Sequence, residues 1–304
     1  MFSDLQNTIG WEIRKNKEKG SWVIFSIFCF FLYFYAFPRL LYYIFPLLPF
    51  HNLYIMYVCG TYAIHMASYL SINLFYGLIY RLKHPYFESL KVNPAPWPWE
   101  SRDFHETLKK VLKVALINQI FTLPISLMLF GLGAKYDHSL RLPSYSEEFV
   151  QILFFIFCED FAFYFSHRLL HQGYLYKRIH KKHHEFNVTI SLAAEYAHPI
   201  EYALGNSLPV GLGPLIYGQS KVHLITWFTW VFYRTMNTAE GHSGYNIPWT
   251  PFRIVPFSST STFHDFHHFK NQGNYGSFFV IWDTLLGTHR SYMGQLKENL
   301  KKVE

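Results

Sequence analysis

Charge and cysteine are what this chain has least of. Asp, Glu, Lys and Arg make up 15% of its 304 residues, whereas half are hydrophobic and a fifth are aromatic. An ordinary soluble domain carries about 25% charged residues, so the composition excludes a wholly soluble protein. The three cysteines, Cys29, Cys59 and Cys158, each lie in an apolar run with no CxxC spacing. That excludes a disulfide framework and a cysteine-closed zinc site and leaves small core or lipid-facing residues. Phosphate-binding glycine loops are missing as well. Gly131-Leu132-Gly133 and Gly211-Leu212-Gly213 sit in apolar runs without the strand, turn and following acid that such a loop needs. They read as helix-packing or turn positions. Neither a repeat nor a low-complexity segment is present. No zinc-finger or RNA-binding signature accompanies the net charge of +7, so no nucleic acid is expected as a partner. The basic residues cluster at Arg14, Lys15, Lys17 and Lys19, at Lys109, Lys110 and Lys113, and at the C-terminus, as flanks of membrane spans do.

What is present is long uncharged sequence. Ser21 to Pro38 has no charge, and Leu40 to Tyr80 has no Asp, Glu, Lys or Arg. A helix crosses the hydrocarbon core with about 20 apolar residues. Spans are therefore expected near 21–48 and 53–79, with Pro46 and Pro49 at the turn between them. A third is expected near 111–133, tolerating Pro124, and a fourth near 149–165. The region 202–233 is broken by Pro209, Gly211, Gly213, Pro214 and the turn 218–221, and reads as a hairpin of two short or partly re-entrant helices. The first run is bulky and aromatic and lacks a small-residue cleavage site, unlike a signal peptide. Asn93 to Trp99 is a proline-rich linker whose tryptophans suggest the headgroup level.

Histidine is abundant. Three short words hold eight imidazoles: HRLLH at His167–His171, HKKHH at His180–His184 and HDFHH at His264–His268. On a helix, residues three and four apart share a face, so each word reads as a one-sided ligand set. A first-row metal takes about six ligands at most, and eight convergent imidazoles fit two metals better than one. Nitrogen-only ligation excludes calcium and magnesium. A structural zinc is closed by four ligands, usually with cysteine among them. A dimetal centre at the membrane surface suits dioxygen activation, with the metals supplying the redox chemistry. By the positive-inside rule the N-terminal cluster, the Arg81/Lys83 loop and the Lys109–Lys113 cluster face the cytosol. Three hairpins then return all three words to that side.

Of the other histidines, His223 lies between Val222 and Leu224 in the last hairpin and reads as a hydrogen-bonded membrane histidine. Glu159 and Asp160 lie in an apolar run two turns before His167. Carboxylates there are costly and need a partner, and they are expected to accept from ring N–H groups of metal-bound histidines. Glu185, Glu195, Glu201, Glu240 and Asp265 are weaker candidates for the same role, which plain solvation would explain as well.

HRLLH, IHKKHHEF, AEYAHPIE, HSGYNIPW and FHDFHHFKNQGNYGSFFVIWDTLLGT together resemble the fatty acid hydroxylase/sterol desaturase superfamily, and within it the C4-methylsterol monooxygenases most of all. The resemblance is dense from Cys158 to Thr288 and only topological before. It implies an all-α, multi-span membrane protein of the endoplasmic reticulum, with both termini and a histidine-rich cap holding two irons in the cytosol. Zinc can displace iron on overexpression. The family's reaction uses O2 and electrons from NAD(P)H through cytochrome b5 to oxidise a methyl group of the sterol nucleus towards the carboxylate. A sterol-demethylation complex is its implied setting. Carried over residue by residue, the metal ligands fall on His167, His171, His180, His183, His184, His264, His267 and His268, with His242 matching a further ligand position and His198 a ligand or near neighbour. The implied division is a cytosolic N-terminus (1–20), membrane hairpin, linker and third span (21–146), catalytic domain (147–290) and cytosolic tail (291–304).

Three departures bear on the substrate rather than the metals: Thr238-Ala239-Glu240-Gly241 before HSGY, Asn246 after it, and Ser261-Thr262-Phe263 before the last word. No HPGG haem word or dinucleotide fingerprint is present, so an oxygenase of this sequence needs an external electron donor such as cytochrome b5 or a similar reductase, which the basic clusters would dock. Lys301-Lys302-Val303-Glu304 resembles a dilysine retrieval signal. Alternatives are oxidation of another lipid carbon (sterol desaturation, side-chain oxidation or fatty-acyl hydroxylation), a non-catalytic subunit keeping the fold, and zinc binding or transport.

Overall fold

The longest uncharged run becomes the longest helix. In the computed structural model, which describes residues 2–32, 36–44, 47, 52–139, 141–253 and 255–301, α4 spans Leu53–Leu82 over 30 residues. The Asn52 side chain caps its start by accepting from the Ile55 amide, and Lys83 ends it in the left-handed region at φ 46°. Helix α5 (His105–Gly131) and helix α6 (Tyr145–Leu170) are 27 and 26 residues long. Ser144 and Glu147 form a capping box at the start of α6. These three helices are long and apolar enough to cross a membrane.

Of the first expected span, near 21–48, the described residues are 21–32, 36–44 and 47. After α1 (Phe2–Lys19), the chain runs through α2 (Val23–Phe31) and α3 (Phe37–Ile44), nine and eight residues long. The turn prolines Pro46 and Pro49 lie outside the described residues. Helix α2 packs against the turn at Pro251–Arg253, while Phe37 of α3 stacks on Phe232 at 3.9 Å and Arg39 lies 3.8 Å over the Tyr145 ring at the start of α6.

The last hairpin also forms from short elements. Beyond α7 (Gly173–Arg178), a tight turn at His198–Glu201 and a π-helical turn at Tyr202–Ser207 lead into α8 (Leu208–Tyr217), and α9 (Leu224–Gly241) returns. Asp137 closes its far end, donating its amide to Val222 O at 3.0 Å and accepting from the Leu224 amide at 2.7 Å. His223 caps α9: Nδ1 accepts from the Ile225 amide and Nε2 donates to Ser139 O at 2.9 Å. Gly213 is a packing position, since a Cβ there would lie 2.7 Å from Phe155 Cα on α6. Helix α9 is the axis of the core, with Leu224, Ile225 and Trp230 fully buried.

All three histidine words sit at one end of these helices. The cap there is made of α7 (Gly173–Arg178), 3₁₀ turns at His180–Glu185 and Ser191–Glu195, α10 (Ser261–Lys270), α11 (Ile281–Leu286) and α12 (Arg290–Lys301). Helix α1 is bound to this cap: Thr8 Oγ1 lies 2.8 Å from His289 Nε2, and Lys15 donates to Ser258 O at 2.9 Å. The linker tryptophans pack into the cap. Trp97 is only 2% exposed, stacked on Trp99 and packed against Tyr80 and Tyr245. It is cap core, because the HSGY turn lies over it. Among the described residues there are no β-strands, only isolated bridges. The dilysine residues 302–304 lie outside the described residues.

Candidate metal centre

The last turn of α6 delivers His167 and ends on His171, the 3₁₀ turn delivers His180, His183 and His184, the end of α9 delivers His242, and α10 delivers His264, His267 and His268. Packing sorts them into two groups. His167, His171, His180, His184 and His267 bring ligand nitrogens within 4.8 Å of one another, and so do His183, His242, His264 and His268. HRLLH is a one-sided set, and the other two words are not. HKKHH sends His183 one way and its two companions the other, and HDFHH is split likewise at His267.

Nitrogen spacing within each group is short. In the first, His180 Nε2 lies 3.1 Å from that of His167 and 3.0 Å from those of His171 and His184, and His171 lies 3.2 Å from His267. In the second, His242 Nε2 lies 3.2 Å from that of His183 and 2.9 Å from that of His264, which lies 3.2 Å from His268. These are not hydrogen bonds wherever both rings are committed elsewhere. His183 Nδ1 donates to Tyr196 O at 3.2 Å and His242 Nδ1 to Thr238 O at 2.9 Å. A carbonyl only accepts, so both protons are on Nδ1 and the facing Nε2 atoms are both lone pairs. His167, His267 and His268 are fixed the same way, by Tyr275 O at 3.0 Å, Gly273 O at 2.5 Å and Phe186 O at 3.1 Å. Lone pairs converging at such distances repel unless a cation sits among them. Ligands about 2.1 Å from a metal stand about 3.0 Å apart at right angles and about 3.4 Å apart in a tetrahedron. The observed spacing matches the right-angle arrangement of five- and six-coordinate metals.

Electrostatics agree with neutral, metal-ready imidazoles. Burial holds His171 and His183 down at about 4, and burial with repulsion from His183 holds His242 at about 3. His180, His264, His267 and His268 are pushed well below the ordinary range by burial and then by their neighbours. The sign of the pH dependence follows. Each of these rings titrates lower in the folded than in the unfolded chain, so the unfolded chain takes up protons first as pH falls below 6.5. Stability is full above that value and is lost towards the folded pKa, at about 1.4 kcal/mol per pH unit for each buried ring. Purified protein taken from pH 7.5 to pH 5 is expected to lose metal and melt at lower temperature; a flat profile of metal content and melting would contradict this.

The structure brings nine of the ten candidate ligands into the two groups. His198 is outside both. It starts the turn before the last hairpin, where its Nδ1 accepts from the Ile200 amide at 3.2 Å, which spends the lone pair on backbone capping. Glu159 and Asp160 also differ from expectation. Glu159 pairs with Arg234 at 2.7 Å, and Asp160 Oδ1 accepts from the amides of Ser277, Phe278 and Phe279 at 3.1, 2.7 and 3.1 Å. Neither touches an imidazole, because both point from α6 into packing below the histidines. The carboxylate that meets a ring is Glu201, with Oε1 2.7 Å from His180 Nδ1. Of the other weak candidates, Glu240 holds Arg253 at 2.9 Å, Asp265 accepts from Thr189 at 3.1 Å and Glu185 from Tyr196 at 2.6 Å. The backbone acceptors leave no signal in side-chain types.

A cavity of about 290 Å³ lies between α4, α5, α8 and α9. Its wall is mostly apolar, and its rim includes the exposed Phe130, Leu208 and Leu215. At the other end it is lined by Ala194, Glu195 and Thr238. The Thr238 carbonyl holds His242, and Tyr196, which follows Glu195, holds His183.

Residues 152–288 match the family model described as fatty acid hydroxylase. The chain is 37% identical to very-long-chain aldehyde decarbonylase GL1-11 of Oryza sativa over 201 residues, covering 64% of this chain and 71% of the relative. It is 41% identical to methylsterol monooxygenase 2-2 of Arabidopsis thaliana over 166 residues (53% and 61%), and 35% identical to methylsterol monooxygenase 1 of Gallus gallus over 254 residues (81% and 80%). No solved structure matches the chain significantly.

Proposed function

The chain belongs to the fatty acid hydroxylase family, and on that premise we propose that it is a membrane-bound di-iron oxygenase that oxidises the C4-methyl group of a sterol. The observation that carries the metal part is the pair of facing lone pairs on His183 and His242, 3.2 Å apart, with its counterparts in both groups. The substrate part is supported by relatives named methylsterol monooxygenase that match over much of their length and by the largely apolar cavity whose lining includes Thr238, the residue whose carbonyl holds His242.

In this reading His167, His171, His180, His184 and His267 hold one iron and His183, His242, His264 and His268 the other. When bound, the irons would supply the activation of O2. The protein does the rest. Carbonyls of Tyr196, Thr238, Gly273, Tyr275 and Phe186 fix the tautomers of His183, His242, His267, His167 and His268 and keep their Nε2 atoms free for metal. Glu201 does the same for His180. The cavity wall excludes water and aligns an elongated lipid, whose entrance is the apolar rim at Phe130, Leu208 and Leu215. Electrons come from NAD(P)H through cytochrome b5 or a similar donor, docking on the exposed Lys177, Arg178, Lys181 and Lys270 around the cap. The protein resides in the endoplasmic reticulum with the cap in the cytosol, and works with a sterol-demethylation complex. Zinc in an overexpressed preparation would be compatible with this reading, since zinc binds nitrogen ligands more tightly than iron does.

Lipid analysis of cells lacking the protein tests the assignment. Accumulated 4-methylsterols are expected. Unchanged sterols with accumulated very-long-chain aldehydes or altered hydroxy-fatty acids would overturn it and select the chemistry named for the rice relatives or another lipid oxidation. No change in any lipid, with both metals bound, would select a non-catalytic subunit.

A further inference from the structure

The inner end of the cavity carries a polar group that the metal centre does not use. His65, on α4 within an otherwise uncharged span, lies there with Glu195, Tyr202 and Thr235. All four are buried. Thr235 Oγ1 gives its single proton to Val231 O at 2.9 Å, so at 3.2 Å it can only accept from His65 Nδ1. That puts the ring proton on Nδ1 and a lone pair on Nε2. Glu195 Oε1 faces this lone pair at 3.8 Å, while its Oε2 accepts from Gln119 Nε2 at 3.3 Å. Two acceptors thus face each other across a gap too wide for a hydrogen bond. The Tyr202 hydroxyl, 3.4 Å from Nε2, can donate to one of them and not to both. Gln119 Oε1, in the same group, is buried with no partner. Buried acceptors without donors are costly, and the missing element is an O–H group.

We propose that His65, Glu195 and Tyr202 form the seat for the substrate's own hydroxyl group, selecting a neutral lipid alcohol and placing the oxidised carbon beside that hydroxyl. The substrate O–H donates to one of the two facing acceptors, Glu195 and His65, and the Tyr202 hydroxyl donates to the other, so that both are satisfied. Position sets the regiochemistry. Glu195 directly precedes Tyr196, whose carbonyl holds His183, and Thr235 is three residues, about 4.5 Å along the helix axis, from Thr238, whose carbonyl holds His242. A lipid seated by its hydroxyl therefore presents the carbons next to that hydroxyl to the second histidine group and lays its remainder along the cavity towards Phe130 and Leu215. Oxidation at the far end of the same lipid would need the reverse entry, with a hydroxyl in the apolar half.

The inference rests on the proposed sterol reading, and binding experiments separate the two. Full-length metal-loaded protein in detergent is titrated with a 4,4-dimethyl-3β-hydroxysterol and its 3-methyl ether, and with octadecan-1-ol and its methyl ether. An ether keeps the oxygen as acceptor and loses the donor. Wild type is expected to bind the sterol alcohol at least about tenfold more tightly than its ether, the scale of one hydrogen bond to a charged group. Glu195→Gln, whose amide N–H supplies a donor to the gap facing His65, should bring that ratio to within about twofold while metal content and ether affinity stay at the wild-type level. Thr235→Val, which frees the ring proton, should weaken alcohol binding in the same sense. Equal binding of sterol alcohol and ether by wild type would overturn the seat and leave the sterol reading standing. Selective binding of octadecan-1-ol with no sterol binding would leave the seat standing and overturn the sterol reading. Binding of neither pair would overturn both.

Discussion

Changing His183 to alanine is expected to yield a protein that still inserts and folds but holds one metal fewer per chain. Its lipid turnover should fall by more than about a hundredfold. The second group has four imidazoles, His183, His242, His264 and His268, and His183 is the one that the 3₁₀ turn contributes. Its loss leaves three nitrogens, and the remaining lone pairs of His242 and His264, 2.9 Å apart, lose a cation's neutralising charge along with the ligand. Disturbing only the groups that orient metal ligands costs about 10–100-fold in affinity or activity, so removal of a ligand should exceed that range. The fold should survive, because among the described residues the one bond that the ring makes outside the cluster is to the Tyr196 carbonyl at 3.2 Å, which is worth about 1 kcal/mol. Metal analysis and turnover on the same preparation check both halves. His198→Ala is the control: its ring caps a turn through the Ile200 amide, and both stoichiometry and rate should stay within about twofold. Retained turnover in the His183 variant would refute the assignment of this residue to the metal centre.

The chemistry of this site was legible in the sequence because ligand identity is local. HRLLH and HDFHH lie on helices, where residues three and four apart share a face, and the apolar runs around them set which elements are long. What was not legible depends on packing between elements. His183 and His184 are neighbours in the chain yet serve different groups, since the 3₁₀ turn lies between the end of α6 and α10 and faces both. Glu159 and Asp160 looked like partners for histidine on grounds of cost alone, and that cost is met by Arg234 and by three backbone amides. The acceptors that do orient the rings are mostly carbonyls, which every residue has. His65 was hidden for a related reason: a single histidine in an uncharged span reads as core until Glu195 and Tyr202, more than a hundred positions away in the chain, are placed beside it.

Asp160→Ala should destabilise the protein by about 3–5 kcal/mol and empty the first metal group, although residue 160 touches no imidazole. Asp160 Oδ1 is the acceptor for the Ser277, Phe278 and Phe279 amides. Asp283 takes the adjoining Tyr275 and Gly276 amides at 3.0 and 2.7 Å. Together they hold a loop whose backbone is otherwise strained. Asn271 and Asn274 have φ of 55°, and Gly273 has φ of 75° in a place where a Cβ would lie 2.2 Å from Thr288 O. From this loop the carbonyls of Gly273 and Tyr275 fix His267 and His167, both in the first group. Truncation to alanine strands buried amides, each costing about 1–3 kcal/mol, and frees the loop to turn its carbonyls away. Asn is the informative comparison. All three amides use Oδ1 while Oδ2 is buried without a partner, so Asp160→Asn keeps the acceptor that matters and should remain within about 1 kcal/mol of wild type. Thermal unfolding in detergent and metal content per chain distinguish the two variants. An alanine variant with wild-type stability and two metals would show that the loop is held by other contacts and that Asp160 does not position the histidines.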